Sequence, residues 1–591
     1  MALLNRQDII NKKLNHFRHS LAYIDALPQL TLLGLVIGIV TGLIIVAFRS
    51  AVAAPLTQAL PGHADNFEAL SSPHRTILIM GGALVLGLVL QWLGKYRSQL
   101  SVTHVLDRLH NHQGKLPKTN IIAQFFLAII CLTTGQSTGR EGPAVHLGAG
   151  VASQIGQWLR LPNNSMQTLI GCGVAAAISA SFDTPMAGVI FAMEVIVMEY
   201  TIIGFVPVIL ASVMGTAVSQ LLMGNPSDFI VGNTNMHSLL ELPYMAAISV
   251  VIALCAGSYI RLNTLAMSVK KIPIVIRVLI AGGLTAGVAH WVPSVMGLGY
   301  DTVNAAIAGN IALSGLIIIA LSKLILTPVV IGLGVPGGVI GPSLVVGACI
   351  GGIMGNIAQH LFPTLGIDPS FYAILGMASM MAATINAPLA ALVCVLELSY
   401  NPNIIFPAML MIVVACVLCR QIFKVEGIFI EQLKKSGRSI ESAPAEQALK
   451  RAGVHSIMDS KISITEAEMD YEQAKKLLIS KPRWIIVDNL TDKYGIPASD
   501  LAKFLENAPI NVLSLEVQIN MLEIPGKQVQ LFPIHETASL HEAMQAFHAK
   551  QCTALYVSQP RTPTQSDVSG ILTLTAVQNY YQPRGFHHAV D

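Results

Sequence analysis

Two short runs in this sequence carry residues in an order suited to holding a negative ion. They are Gly139-Arg140-Glu141-Gly142-Pro143 and, in the other half of the chain, Gly337-Gly338-Val339-Ile340-Gly341-Pro342. Each sets glycine and proline where a helix begins, so that backbone N–H groups and the positive end of the helix dipole converge on one point. Gly139, Arg140 and Gly142 of the first run, with Val339 and Ile340 of the second, are the expected anion contacts through their backbones, because glycine lets the main chain come close to a ligand. Arg140 is expected to act as an electrostatic neighbour, since a bare guanidinium on the ion would hold it too tightly for release. Glu141 has a different chemistry. Ionised, it would take the place an anion wants at a helix start; protonated, it is neutral and can swing away, so one side chain would serve as gate and proton acceptor. The plainer alternative is a helix-capping glutamate.

The elements that must position these runs are apolar. Of 591 residues, 53% are hydrophobic and 12% charged, against about 25% charged in soluble domains, so the chain reads as a polytopic α-helical membrane protein. A net charge of +3 argues against a nucleic-acid partner. The eight cysteines lie mostly in apolar runs without metal-ligand spacing and read as packing thiols, with no metal site and no disulfide. Residues 1–28 mix Arg6, Lys12, Lys13 and Arg18 with apolar side chains, an amphipathic helix expected on the cytoplasmic face.

Leu32 to Phe48 carries Gly34, Gly38 and Gly42, suited to close helix packing in lipid. Pro143 to Leu159 and Thr168 to Ala180 look shorter than the roughly 20 residues a crossing needs, and short Gly/Pro-interrupted segments in two halves point to a transport site. The halves align. The run from Gly173 to Glu194 matches Gly376 to Glu397 without gaps, Pro185 falls on Pro388, and Gly142-Pro143 falls on Gly341-Pro342, a repeat of about 200 residues. The expected membrane repeats are 29–235 and 236–435.

Residues 436–591 change character to soluble α/β sequence with two units. One runs from Val454-His455-Ser456-Ile457-Met458 through a helix at Tyr471 to Leu478 and a strand at Arg483 to Val487. The other runs from Leu531-Phe532-Pro533-Ile534 through a helix at Ser539 to His548 and a strand at Ala554 to Val557. This region resembles a tandem pair of CBS domains, adenosine-nucleotide sensors or plain dimer scaffolds. Thr573 fits the family's ribose contact, but Ala576 stands where an aspartate is usual and Asp500 comes one residue early.

Together, GREGP, GGVIGP and their flanks resemble the CLC family of chloride channels and chloride/proton exchangers over nearly the whole chain. The resemblance implies a CLC fold of two inverted repeats and a cytoplasmic tandem CBS domain. It also implies a homodimer with one pore per subunit, set in the cell inner membrane with both termini cytoplasmic. Its partners would be chloride and other small anions, protons and the lipid bilayer; no cofactor is implied beyond an adenine nucleotide at the CBS domains, and no enzyme activity.

The chain departs from the family in several places. The family's serine hydroxyl falls on Leu100, with Ser101 adjacent; its tyrosine on the last membrane helix is Phe429; the phenylalanine of the second motif is Ile340. Both hydroxyl ligands are then missing, leaving mainly backbone amides. The exchangers' inner glutamate falls on Val195, which cannot relay a proton; Glu194 beside it could substitute, although its repeat partner Glu397 points to a structural role for both. The expected function is transport of a small anion gated by Glu141 and coupled to protons. An uncoupled voltage- or pH-gated channel is one alternative, and a membrane-anchored CBS sensor that transports nothing is another.

Overall fold

A computed structural model describes residues 27–61, 65–97, 99–224, 229, 235–269, 271–438, 449–450, 452–489, 492–507, 518–562 and 565–581. The amphipathic segment expected before residue 27 lies outside them. The chain divides into two units, one of Leu30–Leu159 and Met166–Ile440, the other of Glu441–Asp591 with Met1–Gln29 and Arg160–Ser165.

The first unit is helical, and its helices come in the same order twice. The first series is α1 (Leu27–Ala59), α2 (Ser72–Arg97), α3 (Ser101–Asn111), α4 (Lys118–Thr133), α5 (Glu141–Trp158), α6 (Asn163–Phe182), α7 (Pro185–Phe191) and α8 (Ile202–Met223). The second is α9 (Leu242–Ala266), α10 (Ile274–Trp291), α11 (Tyr300–Ile307), α12 (Leu313–Leu333), α13 (Ile340–Leu361), α14 (Pro369–Ile385), α15 (Pro388–Ser399) and α16 (Ile405–Phe423), followed by α17 (Ile428–Lys435). Among the described residues, nine helices are long and apolar enough to cross a membrane. Large apolar side chains stand outward on them, Leu221 on α8 at 84% exposure for example, as lipid-facing helices require. One sequence expectation needs correction. Helix α6 starts at Asn163 and reaches 20 residues, because Asn163-Asn164-Ser165 joins the helix. Helix α7 ends at Phe191 and the chain continues as a π turn over Ala192–Val197.

Small residues set the crossings. A methyl on Gly38 would lie 2.5 Å from the Ala211 carbonyl oxygen, so α1 and α8 touch backbone to backbone. Gly148 of α5 meets Gly173 of α6, and at the matching positions Gly347 of α13 meets Gly376 of α14; a methyl on any of the four would overlap the partner's carbonyl. Contacts this close are what van der Waals packing in lipid needs. All eight cysteines are free thiols, most of them buried.

The second unit is a six-stranded sheet in the order β1-β3-β4-β6-β7-β8, with the short pair β2-β5 beside it. Here β1 is Ile462–Glu466, β2 Glu468–Met469, β3 Trp484–Asn489, β4 Asp492–Pro497, β5 Ile519–Asn520, β6 Val529–His535, β7 Ala554–Thr562 and β8 Gln565–Thr573. Strands β1 and β3 run parallel, then β3 and β4 antiparallel; β6, β7 and β8 repeat that pattern. Helices α18 (Tyr471–Ile479), α19 (Ala498–Glu506), α20 (Leu540–Lys550) and α21 (Leu574–Tyr581) complete the two half-units. The strand expected at Arg483 to Val487 is β3, Trp484–Asn489, and β1 at Ile462–Glu466 pairs with it. Val454, expected to open the first unit, packs in the core of the second half and donates its N–H to the Ala538 carbonyl.

Candidate functional site

The two motif runs meet. Gly139 and Gly338 exchange backbone hydrogen bonds, Gly139 N–H to Gly338 O at 2.8 Å and Gly338 N–H to Gly139 O at 2.7 Å. This single antiparallel bridge aims the starts of α5 and α13 at each other. Proline at the third position of each helix removes one donor, and the first helical bonds are Ala144 N–H to Arg140 O at 3.0 Å and Ser343 N–H to Val339 O at 3.2 Å. The N–H groups of Glu141, Gly142, Ile340 and Gly341 therefore stay outside both helical ladders. Gly139, expected to offer its own N–H, commits it to Gly338.

Glu141 is fully buried and its carboxyl lies against the start of α13: Oε1 is 2.7 Å from where a Cβ on Gly341 would stand, and Oε2 2.9 Å from that of Gly338. Only glycine at these places leaves it room. The Tyr300 hydroxyl donates to Oε1, while Oε2 has no hydrogen-bond partner among the described residues. Arg140 turns aside. Its guanidinium donates to the Ser181 carbonyl at 2.7 Å and stacks over the rings of Tyr300 and Phe182, 5.1 and 5.5 Å from their centres.

Beside the motif pair is a cavity of about 220 Å³ that brings together Leu100, Ser101, Val339 and Phe429. Gly139, Arg140, Glu141, Gly142 and Ile340 do not line it. Ser101 links the two places, since its Oγ lies 2.6 Å from where a Cβ on Gly142 would be. The expectation that both hydroxyls are absent thus needs amending: Ser101 carries one to the motif. Its backbone, at φ 68°, turns the side chain there, and its N–H is held by Gln124 Oε1 at 2.7 Å. Phe429 is fixed through Gln432, one turn on in α17, whose amide donates to Asn263 Oδ1 at 2.9 Å; Asn263 in turn donates to the Pro328 carbonyl of α12 at 2.9 Å.

Helix α3, which carries Ser101, is tied to α5 by buried imidazoles. His104 Nδ1 and His146 Nε2 stand 2.8 Å apart, and Arg108 Nε donates to His104 Nε2 at 3.2 Å. Arginine can only donate, so His104 holds its proton on Nδ1 and donates to His146.

Glu194 and Glu397 cap each other's repeat. Glu194 accepts from Leu389 and Ala390 N–H, at 3.3 and 2.7 Å, at the start of α15; Glu397 accepts from Met186 and Ala187 N–H, both at 2.8 Å, at the start of α7. Val195 is buried beside it and offers no polar atom. Glu241 is buried: it caps the His237-Ser238 turn and accepts from the Tyr372 hydroxyl at 2.8 Å.

Sequence reasoning missed Tyr300, although a signal was there. Ser101 and Tyr300 begin α3 and α11 at the same offset that separates Gly142 from Gly341. Gln124, which holds Ser101, and Lys323, which donates to the Leu298 carbonyl at 3.3 Å just ahead of Tyr300, share that offset too.

A family model described as "Voltage gated chloride channel" matches residues 81–420. An uncharacterized protein of Methanocaldococcus jannaschii is 28% identical over 366 residues, 61% of this chain and 89% of its own length. The H(+)/Cl(-) exchange transporter ClcA of Vibrio parahaemolyticus is 28% identical over 295 residues, 48% of this chain and 63% of that transporter. Among solved structures, a slow cyanobacterial Cl-/H+ antiporter superposes with TM-score 0.62 at 21% identity, over 69% of this chain and 97% of its own. A eukaryotic CLC transporter superposes with TM-score 0.58 at 18% identity, over 92% of this chain and 97% of its own. At these identities the structural likeness speaks for the fold alone.

Proposed function

The chain belongs to the voltage-gated chloride channel family, whose model matches more than half of it, and from that premise we propose that it moves chloride or a similar small anion across a membrane under the control of Glu141. It is a multi-pass membrane protein and not an enzyme. The observation that carries the proposal is the Glu141 carboxyl buried at the convergence of two helix starts, in the space an anion would need. Ionised, the carboxyl is favoured there by the dipole of α13. An arriving anion competes for the same place, and protonation removes the charge that holds the side chain in it. Unladdered N–H groups from both halves then face the vacated space, with the Ser101 hydroxyl close by.

Proton coupling would follow the activity named for the Vibrio parahaemolyticus H(+)/Cl(-) exchange transporter, of which this chain spans less than two thirds. A second reading, anion conduction without fixed coupling, is supported by Glu194: its oxygens are taken up by α15, and Val195 follows it. Proteoliposomes separate the two. A chloride gradient drives protons uphill in an exchanger and leaves pH unchanged in a channel. For either, Glu141→Gln removes the pH dependence of anion flux, whereas a non-transporting sensor shows no flux to change.

Both termini are assigned to the cytoplasm, the protein to the inner membrane, and the assembly to a homodimer with a pore in each subunit, in keeping with the family. The C-terminal unit is read as tandem CBS modules that support or regulate the dimer. Asp500, a carboxylate that could meet a ribose, accepts the Lys527 N–H at 3.0 Å instead, and Ala576 offers none, so a scaffold role is favoured over nucleotide binding.

A further inference from the structure

Among the described residues a single lysine or arginine is wholly buried: Lys323, at the middle of the membrane helix α12. A charge at that depth is costly and calls for a partner. The ammonium donates to the Leu298 carbonyl at 3.3 Å and makes no direct ion pair among the described residues. The titratable groups that face it are Asp65 in the turn after α1, Asp301 on α11, the Cys349 thiol on α13 and Glu141 at the start of α5. Its Nζ fills the place a Cβ on Gly299 would need, so it packs on the residue before Tyr300, whose hydroxyl donates to Glu141. The matching position of the first half is Gln124, a neutral side chain that holds the Ser101 N–H. The halves therefore differ by one charge, and it lies in the half against whose helix start the Glu141 carboxyl rests.

We propose that Lys323 is a positioning residue for the Glu141 gate: its buried ammonium is the counter-charge that holds the Glu141 carboxyl ionised at the meeting of the helix starts, and Asp65 and Asp301 set how much of that charge the carboxyl meets. A unit charge within ~10 Å of another acts through protein at an effective dielectric of about 20, far below that of water, which is enough to move the balance between two protonation states about tenfold. The other groups facing the Glu141 carboxyl are Tyr300, Tyr259 of α9 and Cys394 of α15, side chains that ordinarily carry no charge in the neutral range, and Arg140, which is turned to the Ser181 carbonyl. The sign follows directly. Without the ammonium the ionised carboxyl is less favoured, so Glu141 takes up its proton at higher pH; without a carboxylate beside the ammonium the shift runs the other way. The part Glu141 plays in anion flux rests on the transport reading above, whereas the action of Lys323 on Glu141 does not. The plainer role for Lys323 is structural, since its bond to Leu298 pins the turn ahead of Tyr300.

Infrared difference spectra of the full chain in lipid, titrated over about pH 4 to 9, test this by following the protonated-carboxyl band that disappears in Glu141→Gln. In Lys323→Met the band titrates about one pH unit above the wild type, a tenfold change, and in Lys323→Arg within about 0.3 unit of it. Asp301→Asn keeps an oxygen for the Thr302 N–H and moves the titration below the wild type; it decides the matter if Lys323→Met does not fold. A wild-type titration in Lys323→Met, or in Asp301→Asn where that variant must stand in, overturns the proposal and leaves Lys323 its structural role, whatever the change in thermal stability. Chloride efflux from proteoliposomes is read beside the spectra. A half-maximal pH that rises with the infrared titration supports control of the gate by Lys323, while an infrared shift in a protein that carries no flux at any pH upholds the coupling and sinks the transport reading instead.

Discussion

At the scale of single residues, gating turns on how one carboxyl is held. The Tyr300 hydroxyl is its hydrogen-bond donor, and a hydrogen bond to a charged group contributes about 1.5–3 kcal/mol. Tyr300→Phe is therefore expected to raise anion flux at neutral pH about tenfold and to flatten its dependence on pH, measured as chloride efflux from proteoliposomes between pH 5 and 8. Unchanged flux would mean that the hydroxyl does not restrain Glu141. The place of Glu141 and its glycines at a helix start was legible because glycine, glutamate and proline sit side by side in the chain. Tyr300 was not, since it stands 159 positions away and only the fold brings it in. That Phe429 brings no hydroxyl follows from the residue type alone. That Ser101 would turn its own hydroxyl to Gly142 depended on a positive φ that no residue type announces.

Elements position those residues by contacts between the halves. At the α5–α6 crossing, Gly148 and Gly173 leave no space for a side chain. Gly148→Val should cost about 1–3 kcal/mol through overpacking, seen as a lower thermal midpoint in detergent, and wild-type stability in the variant would show that the helices can separate freely. The turn ahead of α11 is held by Asp65, which accepts the Leu298 and Gly299 N–H groups at 3.4 and 3.0 Å. Burial, with Asp301 adding to it and Lys323 opposing, pushes the Asp65 carboxyl up to about 6. A raised carboxyl favours the neutral form in the folded state, so its contribution to stability is present below the ordinary carboxylate range and is lost as pH climbs through about 6. Asp65→Asn should then raise the thermal midpoint relative to wild type more at pH 7 than at pH 5; an equal change at both would contradict the assignment. The order of helices was visible as a sequence repeat, whereas the π turn at Ala192–Val197 and the reciprocal caps of Glu194 and Glu397 were not, because they follow from how the two halves pack.

For the whole molecule, apolar composition and the duplicated motif order were enough to indicate a membrane unit in two related halves with a soluble α/β unit after it. What the sequence left open was which backbone groups would pair once the halves met; the Gly139–Gly338 bridge uses two of those donors. The central claim is that a buried glutamate at this junction stands in for an anion and yields to it. Its most direct test is chloride efflux from proteoliposomes, with external pH recorded, comparing the wild type with Glu141→Gln across pH 5 to 8. Efflux should depend on pH in the wild type, and in the variant it should persist, ignore pH and move no protons. Efflux in Glu141→Gln with the wild-type pH profile, or none from either protein, would contradict that claim.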